Sequence, residues 1–468
     1  MPFNERDAMH GPTQATVKMR ERIFDYARMR LELNPPPIDG PATPEFLQAA
    51  TGEMITESGI GSERAMQLFE DVLAPACITV DHPNFVSFIP CAPTEAASLF
   101  DLVVSASSIF GGSWLEGAGA LHAENQVLRW LASEAGLPDG AGGVFVSGGT
   151  AGNLSALVTA RYQHLLRLQN HGVDRPRRLK FICSEEAHSS LAAAAHVMDV
   201  DIVKAPVGED GKLRGASVAS VLAEQDPGSV FAIIATSGTT NFGIVDDLRS
   251  IGEVANDNGI WFHIDGAYGM AGILSERVRH LYDGSELADS FIVDPHKWLF
   301  APYDVCALVY RQPQLARAAH TQKGEYLATL QEAGDWNPSE FAYHLTRRVR
   351  GLPLWFSLAT HGVGAYRKAV DQGIMVAHRI TEEIRGRQRL SLVREPELSI
   401  VAFKREGWGK ADYQAWSDWL LETGVGLVVP SSHAGQAMTR FAIVNPETQF
   451  DELVGILDSM DVFEARSL

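Results

Sequence analysis

Cysteine is scarce: Cys77, Cys91, Cys183 and Cys306 are the only four in 468 residues, and they form no C-x-x-C pair. No Cys/His spacing suits zinc, so neither a disulfide framework nor a structural zinc site is expected. Free thiols in a reducing compartment follow. No run of about 18 apolar residues occurs, so no membrane-spanning helix is expected. The opening stretch M-P-F-N-E-R-D-A-M-H-G lacks the basic-then-apolar profile of a signal peptide. Positive charge is also short, with 39 Lys and Arg against 58 Asp and Glu and a net charge of −19. That balance argues against nucleic acid and anionic membrane surfaces as partners. Internal repeats and low-complexity segments are absent. These absences together predict a cytoplasmic protein.

What is present suffices for a large core: 46% hydrophobic and 21% charged residues. Residues 1–80 read as helical and polar, broken by a connector with five prolines between Asn34 and Pro44. Thr43 is the expected N-cap of a helix from Pro44, and Ser62 that of the next. In the middle of the chain, short apolar strands alternate with helices. G-V-F-V-S leads into a Gly-rich turn and a helix. Strands follow at 180–184, 230–237, 261–265, 291–294 and 305–310, with helices at 189–198, 216–225 and 247–258. This alternation predicts an α/β unit over 81–345, with a mostly parallel sheet covered on both faces. Residues 346–468 read as a smaller α+β unit. It has a long helix over 350–385, strands at 399–404 and 439–444, and a final helix at 451–460.

Chemically loaded residues fall at the strand ends, where α/β sheets bind ligands. Gly148, Gly149 and Thr150 make a turn whose amides and following helix suit an anion. His188 follows the strand K-F-I-C-S, and Thr239 and Thr240 follow V-F-A-I-I-A-T-S. Asp265 closes W-F-H-I-D, where burying a carboxylate requires a partner. Lys297 stands in S-F-I-V-D-P-H-K-W, after Pro295 has stopped the strand. Each residue alone has an ordinary structural reading, as a turn former, helix cap or solvated lysine. Their order, an anion loop followed by His, Thr, Asp and Lys, is what pyridoxal 5′-phosphate requires. Its aldehyde needs a lysine for a Schiff base, its pyridine nitrogen a carboxylate, its phosphate a helix N-terminus and its ring a stacking partner.

The motifs D-P-H-K-W, H-I-D-G-A-Y, A-H-S-S, S-G-T-T and R-R-V-R-G-L-P-L-W-F resemble those of the group II pyridoxal-phosphate-dependent amino-acid decarboxylases. That family includes aromatic-amino-acid and glutamate decarboxylases, and the likeness runs from about His82 to the tail. It implies fold type I, a mostly parallel seven-stranded sheet, and a homodimer with shared active sites. By the same resemblance, Lys297 holds the cofactor, Asp265 takes its ring nitrogen, and Ala267 and His188 pack on its two faces. Gly149, Thr150, Ser290 and His296 surround the phosphate, and Thr240 lies near the reacting centre. Asp294 stands where many relatives have Asn, and is expected to face away or to bond backbone amides. Burial is expected to lower the Lys297 pKa.

The implied reaction is loss of CO2 from an amino-acid substrate to give the amine. Phe88, Ile89 and Pro90 are expected to wall the pocket and favour an aromatic or neutral side chain. His188 and Tyr343 are the candidate proton donors to Cα, because the expected tyrosine position falls near Trp336, Asn337 and Pro338, with Tyr326 and Tyr343 on either side. Aldehyde synthesis after decarboxylation and transamination are the alternatives, the latter with Arg440 as a carboxylate anchor. A non-catalytic relative that binds cofactor or a partner is a third.

Overall fold

The computed structural model describes Met9 and residues 13–322 and 336–463. The N-terminal part holds three helices, α1 (Gln14–Glu32), α2 (Pro44–Thr51) and α3 (Ser62–Leu68). Thr43 caps α2 by accepting from the Phe46 amide at 3.2 Å. At α3, Gly61 rather than Ser62 occupies the cap and no side chain bonds the first turn. Helices α4 (Glu95–Ala106) and α5 (Trp114–Glu134) lead into the main sheet.

That sheet has seven strands: β1 (Gly142–Val146), β2 (Lys180–Ser184), β3 (Asp201–Ala205), β4 (Val230–Thr236), β5 (Trp261–Asp265), β6 (Ser290–Val293) and β7 (Cys306–Tyr310). Their order is β1-β7-β6-β5-β4-β2-β3. Only β7 runs antiparallel to its neighbours. Helices α6 (Gly149–Asn170), α7 (Ser189–Met198), α8 (Gly215–Ala223), α9 (Leu248–Asp257) and α10 (Pro313–His320) flank it.

Alternation along the strands divides the core between the two faces. Ile233 and Ala235 of β4 with Phe262 and Ile264 of β5 pack against α5, α8 and α9. Ala232 and Ile234 of β4 with Phe181 and Cys183 of β2 pack against α6, α7 and α10. Both faces are covered, so the strands read as continuous apolar runs.

The predicted long helix is two, α11 (Leu352–His361) and α12 (Val363–Gly386), separated at Gly362 with φ 76°. A four-stranded antiparallel sheet completes the chain. It is built from β8 (Leu390–Leu392), β9 (Ile400–Arg405), β10 (Pro430–His433) and β11 (Gln436–Ala442), in the order β10-β11-β9-β8. It packs with α12, α13 (Lys410–Glu422) and α14 (Phe450–Val462) around Phe403, Trp416 and Phe441. No helix among the described residues is long and apolar enough to cross a membrane.

Candidate active site

A cavity of about 480 Å³ opens where β4, β5 and β6 end and α6 and α7 begin. Two glycines shape it. At Gly149, the first residue of α6, a Cβ would meet the Ala267 Cβ and Asp294 Oδ2, each at 3.2 Å. A side chain there would fill the space in front of the first free amides of the helix. At Gly238, with φ 92°, a Cβ would fall 2.6 Å from the Gly269 Cα. This close backbone approach holds Thr239 and Thr240 on the cavity wall.

Asp265, at the end of β5, is 5% exposed. Its Oδ2 accepts from the Asn153 side chain at 2.8 Å, and its Oδ1 from the Ala267 amide at 3.3 Å. Behind it, His263 Nε2 lies 2.9 Å from Asn153 Oδ1, and His263 Nδ1 lies 2.8 Å from Ser290 Oγ. Ser290 Oγ also accepts from the Trp261 indole at 2.9 Å. Burial pushes the His263 pKa down to about 3, so this ring is neutral. His188 is the N-cap of α7: its Nδ1 accepts from the Ser190 amide at 3.1 Å. A neutral His188 therefore carries its proton on Nε2.

Lys297 follows β6, and its Nζ is 2.9 Å from Asp294 Oδ2. Burial pulls its pKa down, but the Asp294 charge and hydrogen bond, aided by Asp265, raise it above the ordinary lysine value. The expected lowering by burial is thus overturned by a carboxylate three residues back. Asp294 itself faces the cavity instead of turning away. His296 directs Nδ1 to the Val305 carbonyl at 2.7 Å, and burial lowers its pKa.

Lys297, Asp265, His188, Gly149, Thr150, Thr240, Ala267 and His296 all line this one cavity, with Phe88 and Ile89 on its wall. Three expectations are corrected. Ser290 is fully buried and lies beneath the site, because the parallel register sets it beside His263 at the start of β6. Pro90 is buried behind the wall and does not line the cavity. Tyr343 is 54% exposed, stands edge-on to His344, and does not line the cavity. Tyr326 lies outside the described residues.

Asn153, His263 and Tyr303 were not legible as site residues. Asn153 and His263 back Asp265. Tyr303 lines the wall, its phenol pKa pushed up to about 12 by burial. Arg440, on β11, reaches the same cavity and is 6% exposed. It donates to the Phe88 carbonyl at 3.0 Å and pairs with no carboxylate among the described residues. Burial lowers its pKa to about 10, against an opposing pull from Tyr268.

The site fits pyridoxal phosphate. The Gly149 cradle at a helix N-terminus suits the phosphate, Asp265 the ring nitrogen and Lys297 the aldehyde. The Asp294 charge opposes an anion in that cradle, and its pairing with Lys297 offsets it.

A sequence profile for the pyridoxal-dependent decarboxylase conserved domain matches residues 47–406. The chain is 30% identical over 439 residues to an aromatic-L-amino-acid decarboxylase of Bacillus atrophaeus, covering 90% of this chain and 89% of that one. It is 26% identical to a 4-hydroxyphenylacetaldehyde synthase of Rhodiola rosea, over 86% of this chain and 83% of that one. The crystal structure of Oryza sativa TDC with PLP and tryptamine superposes with a TM-score of 0.86 at 25% identity, covering 98% of each chain.

Proposed function

The chain belongs to the pyridoxal-dependent decarboxylase family and is a pyridoxal-phosphate-dependent carboxy-lyase, and on that premise we propose that it converts an L-amino acid with an aromatic or neutral side chain to its amine and CO2. The observation that carries this reading is the convergence of Lys297, the buried carboxylate of Asp265 and the Gly149 cradle on one cavity.

When bound, pyridoxal phosphate supplies an electron sink for the pair left at Cα as CO2 departs. Lys297 would hold its aldehyde. Asp265 would bond its ring nitrogen, and its negative charge would keep a proton there. Ala267 and His188 would pack on its faces, with Gly149, Thr150 and His296 around its phosphate. Phe88 and Ile89 present apolar surface to the substrate side chain, which favours an aromatic or neutral group over a charged one. Arg440, buried and with no carboxylate partner among the described residues, is the cation that would draw in the substrate's carboxylate. His188 Nε2–H is the proton donor to Cα in this reading, with the Tyr303 phenol a second donor on the same wall.

The active unit in this proposal is a cytoplasmic homodimer. Helix α1 buries none of its residues. Leu99, Leu102 and Val103 of α4 are also exposed. Apolar surface of this kind suits cover by a second copy. All four cysteines are free, as suits a reducing compartment.

A second reading, oxidative conversion to an aldehyde, gains support because Tyr343 does not line the cavity and because of the likeness to the Rhodiola rosea synthase. Product analysis under air without catalase separates the two. Amine equal to CO2, with no ammonia or peroxide, supports the decarboxylase. Aldehyde, CO2, ammonia and peroxide in equal amounts, with one O2 consumed for each, replaces it with the oxidative reaction.

A further inference from the structure

The hydrogen bonds behind Asp265 run in one direction. An indole N–H only donates, which settles the Trp261 end of the chain by residue type. From Trp261 Nε1 the bond passes to Ser290 Oγ at 2.9 Å. The Ser290 hydroxyl hydrogen then serves His263 Nδ1 at 2.8 Å. His263 consequently carries its proton on Nε2, which donates to Asn153 Oδ1 at 2.9 Å. Asn153 sends one amide hydrogen to Asp265 Oδ2 at 2.8 Å and the other to Ser190 Oγ at 3.0 Å. The Ser190 hydroxyl is left to serve His188 Nδ1 at 3.0 Å, beside the Ser190 amide.

We propose that Asn153 and His263 are positioning residues whose single donor direction holds Asp265 Oδ2 as a bare acceptor and His188 in the form protonated at Nε2. The proposal rests on the cofactor assignment above.

The opposite direction fails on satisfaction. A proton on Asp265 Oδ2 would point at the Asn153 NH2 and force that amide to turn over. The turned amide would donate to His263 Nε2 and move the ring proton to Nδ1. Ser290 would then accept from both the indole and the imidazole, and its own hydrogen would have no partner in a fully buried position. Ser190 would likewise lose the donor that Asn153 supplies. Every group is satisfied only when Asp265 Oδ2 is a bare acceptor. His263 is well suited to such a link because it is completely buried and neutral. A charged imidazole would need an acceptor at both nitrogens and would break the bond from Ser290.

The test begins with cofactor-free protein labelled with [15N]histidine. The expected result is His263 protonated at Nε2 and bare at Nδ1, unchanged across the neutral pH range. His263 protonated at Nδ1 overturns the proposal. The second measurement uses [15N]pyridoxal phosphate and reads its dissociation constant and the protonation of its ring nitrogen. His263→Phe should weaken binding about tenfold and shift the ring nitrogen toward the unprotonated form. His263→Gln, whose amide accepts from Ser290 and donates to Asn153, should return both to within about threefold of wild type. Ser290→Ala, which removes one hydroxyl, should shift the ring nitrogen the same way as His263→Phe, and it decides the matter if the phenylalanine variant does not fold. Wild-type affinity and ring protonation in both His263→Phe and Ser290→Ala overturn the proposal. Failure of the wild-type protein to bind the cofactor overturns the assignment of the site instead, and the tautomer measurement stands apart from it.

Discussion

Asparagine at position 265 keeps the volume of the aspartate and removes its charge. In the native protein, Asp265 Oδ2 takes the Asn153 amide at 2.8 Å and Oδ1 takes the Ala267 amide at 3.3 Å. In Asp265→Asn the new carbonyl must face Asn153, since two NH2 groups cannot bond each other. The new NH2 then stands where Oδ1 stood, against the Ala267 N–H and toward the cavity. A charged acceptor becomes a neutral donor at the place meant for the protonated ring nitrogen. Removing one preorganised electrostatic contact from a water-excluded site costs about 3–4 kcal/mol of transition-state stabilisation. That is roughly 10²–10³-fold in kcat/KM. The assay is CO2 release at limiting and saturating substrate, beside the cofactor's visible absorbance and a thermal melt. The expected result is a folded variant that retains some cofactor and has lost most of its rate. A kcat/KM within about threefold of wild type, at full cofactor loading, would refute the role given to Asp265.

Lys297→Ala should fold normally but show no turnover and no cofactor fixed by borohydride; a trapped adduct in the mass spectrum would refute the role of Lys297. Asp294→Asn removes the charge 2.9 Å from the Lys297 amine. Burial then acts with less opposition, the lysine pKa falls and neutral amine forms at lower pH. The pH profile of cofactor association should therefore move to lower pH, and an unmoved profile would remove Asp294 from this account. Arg440→Met should raise KM about tenfold or more with a smaller change in kcat, since the cation it deletes has no carboxylate partner to strand among the described residues; an unchanged KM would show that the substrate carboxylate binds elsewhere. In sedimentation the active species should be a dimer, and an active monomer would refute the assembly.

The strand-end residues were legible because each follows a short apolar run that stops at a polar group. D-P-H-K-W after β6, H-I-D at the end of β5 and S-G-T-T after β4 are local patterns, and parallel strands deliver their C-terminal ends to one edge. Local chemistry likewise marked Thr43 as a cap and 189–198 as α7. The strand β3 escaped because D-I-V-K-A lies at the sheet edge with only its last residue buried, so it lacks the apolar density of its neighbours. The long helix over 350–385 was misread because its periodicity runs through Gly362, whose positive φ breaks it.

The sequence by itself determined the sheet, the order of the site residues along the chain and the chemistry they could share, because these follow from periodicity and from residue types at strand ends. Tertiary structure decided which side chains meet. Ser290 left the phosphate shell because strand register places it beside His263, with Asp265 two residues further along β5. Asn153 entered the site because α6 lies across β5 and brings an amide from its second turn to the Asp265 carboxylate, 112 residues away in sequence. Arg440 reached the cavity from the second sheet, and Asp294 turned toward Lys297 against the expectation that it faces away. A hydrogen bond depends on distances of about 3 Å and on donor direction, and both are set by packing between elements that are remote in sequence.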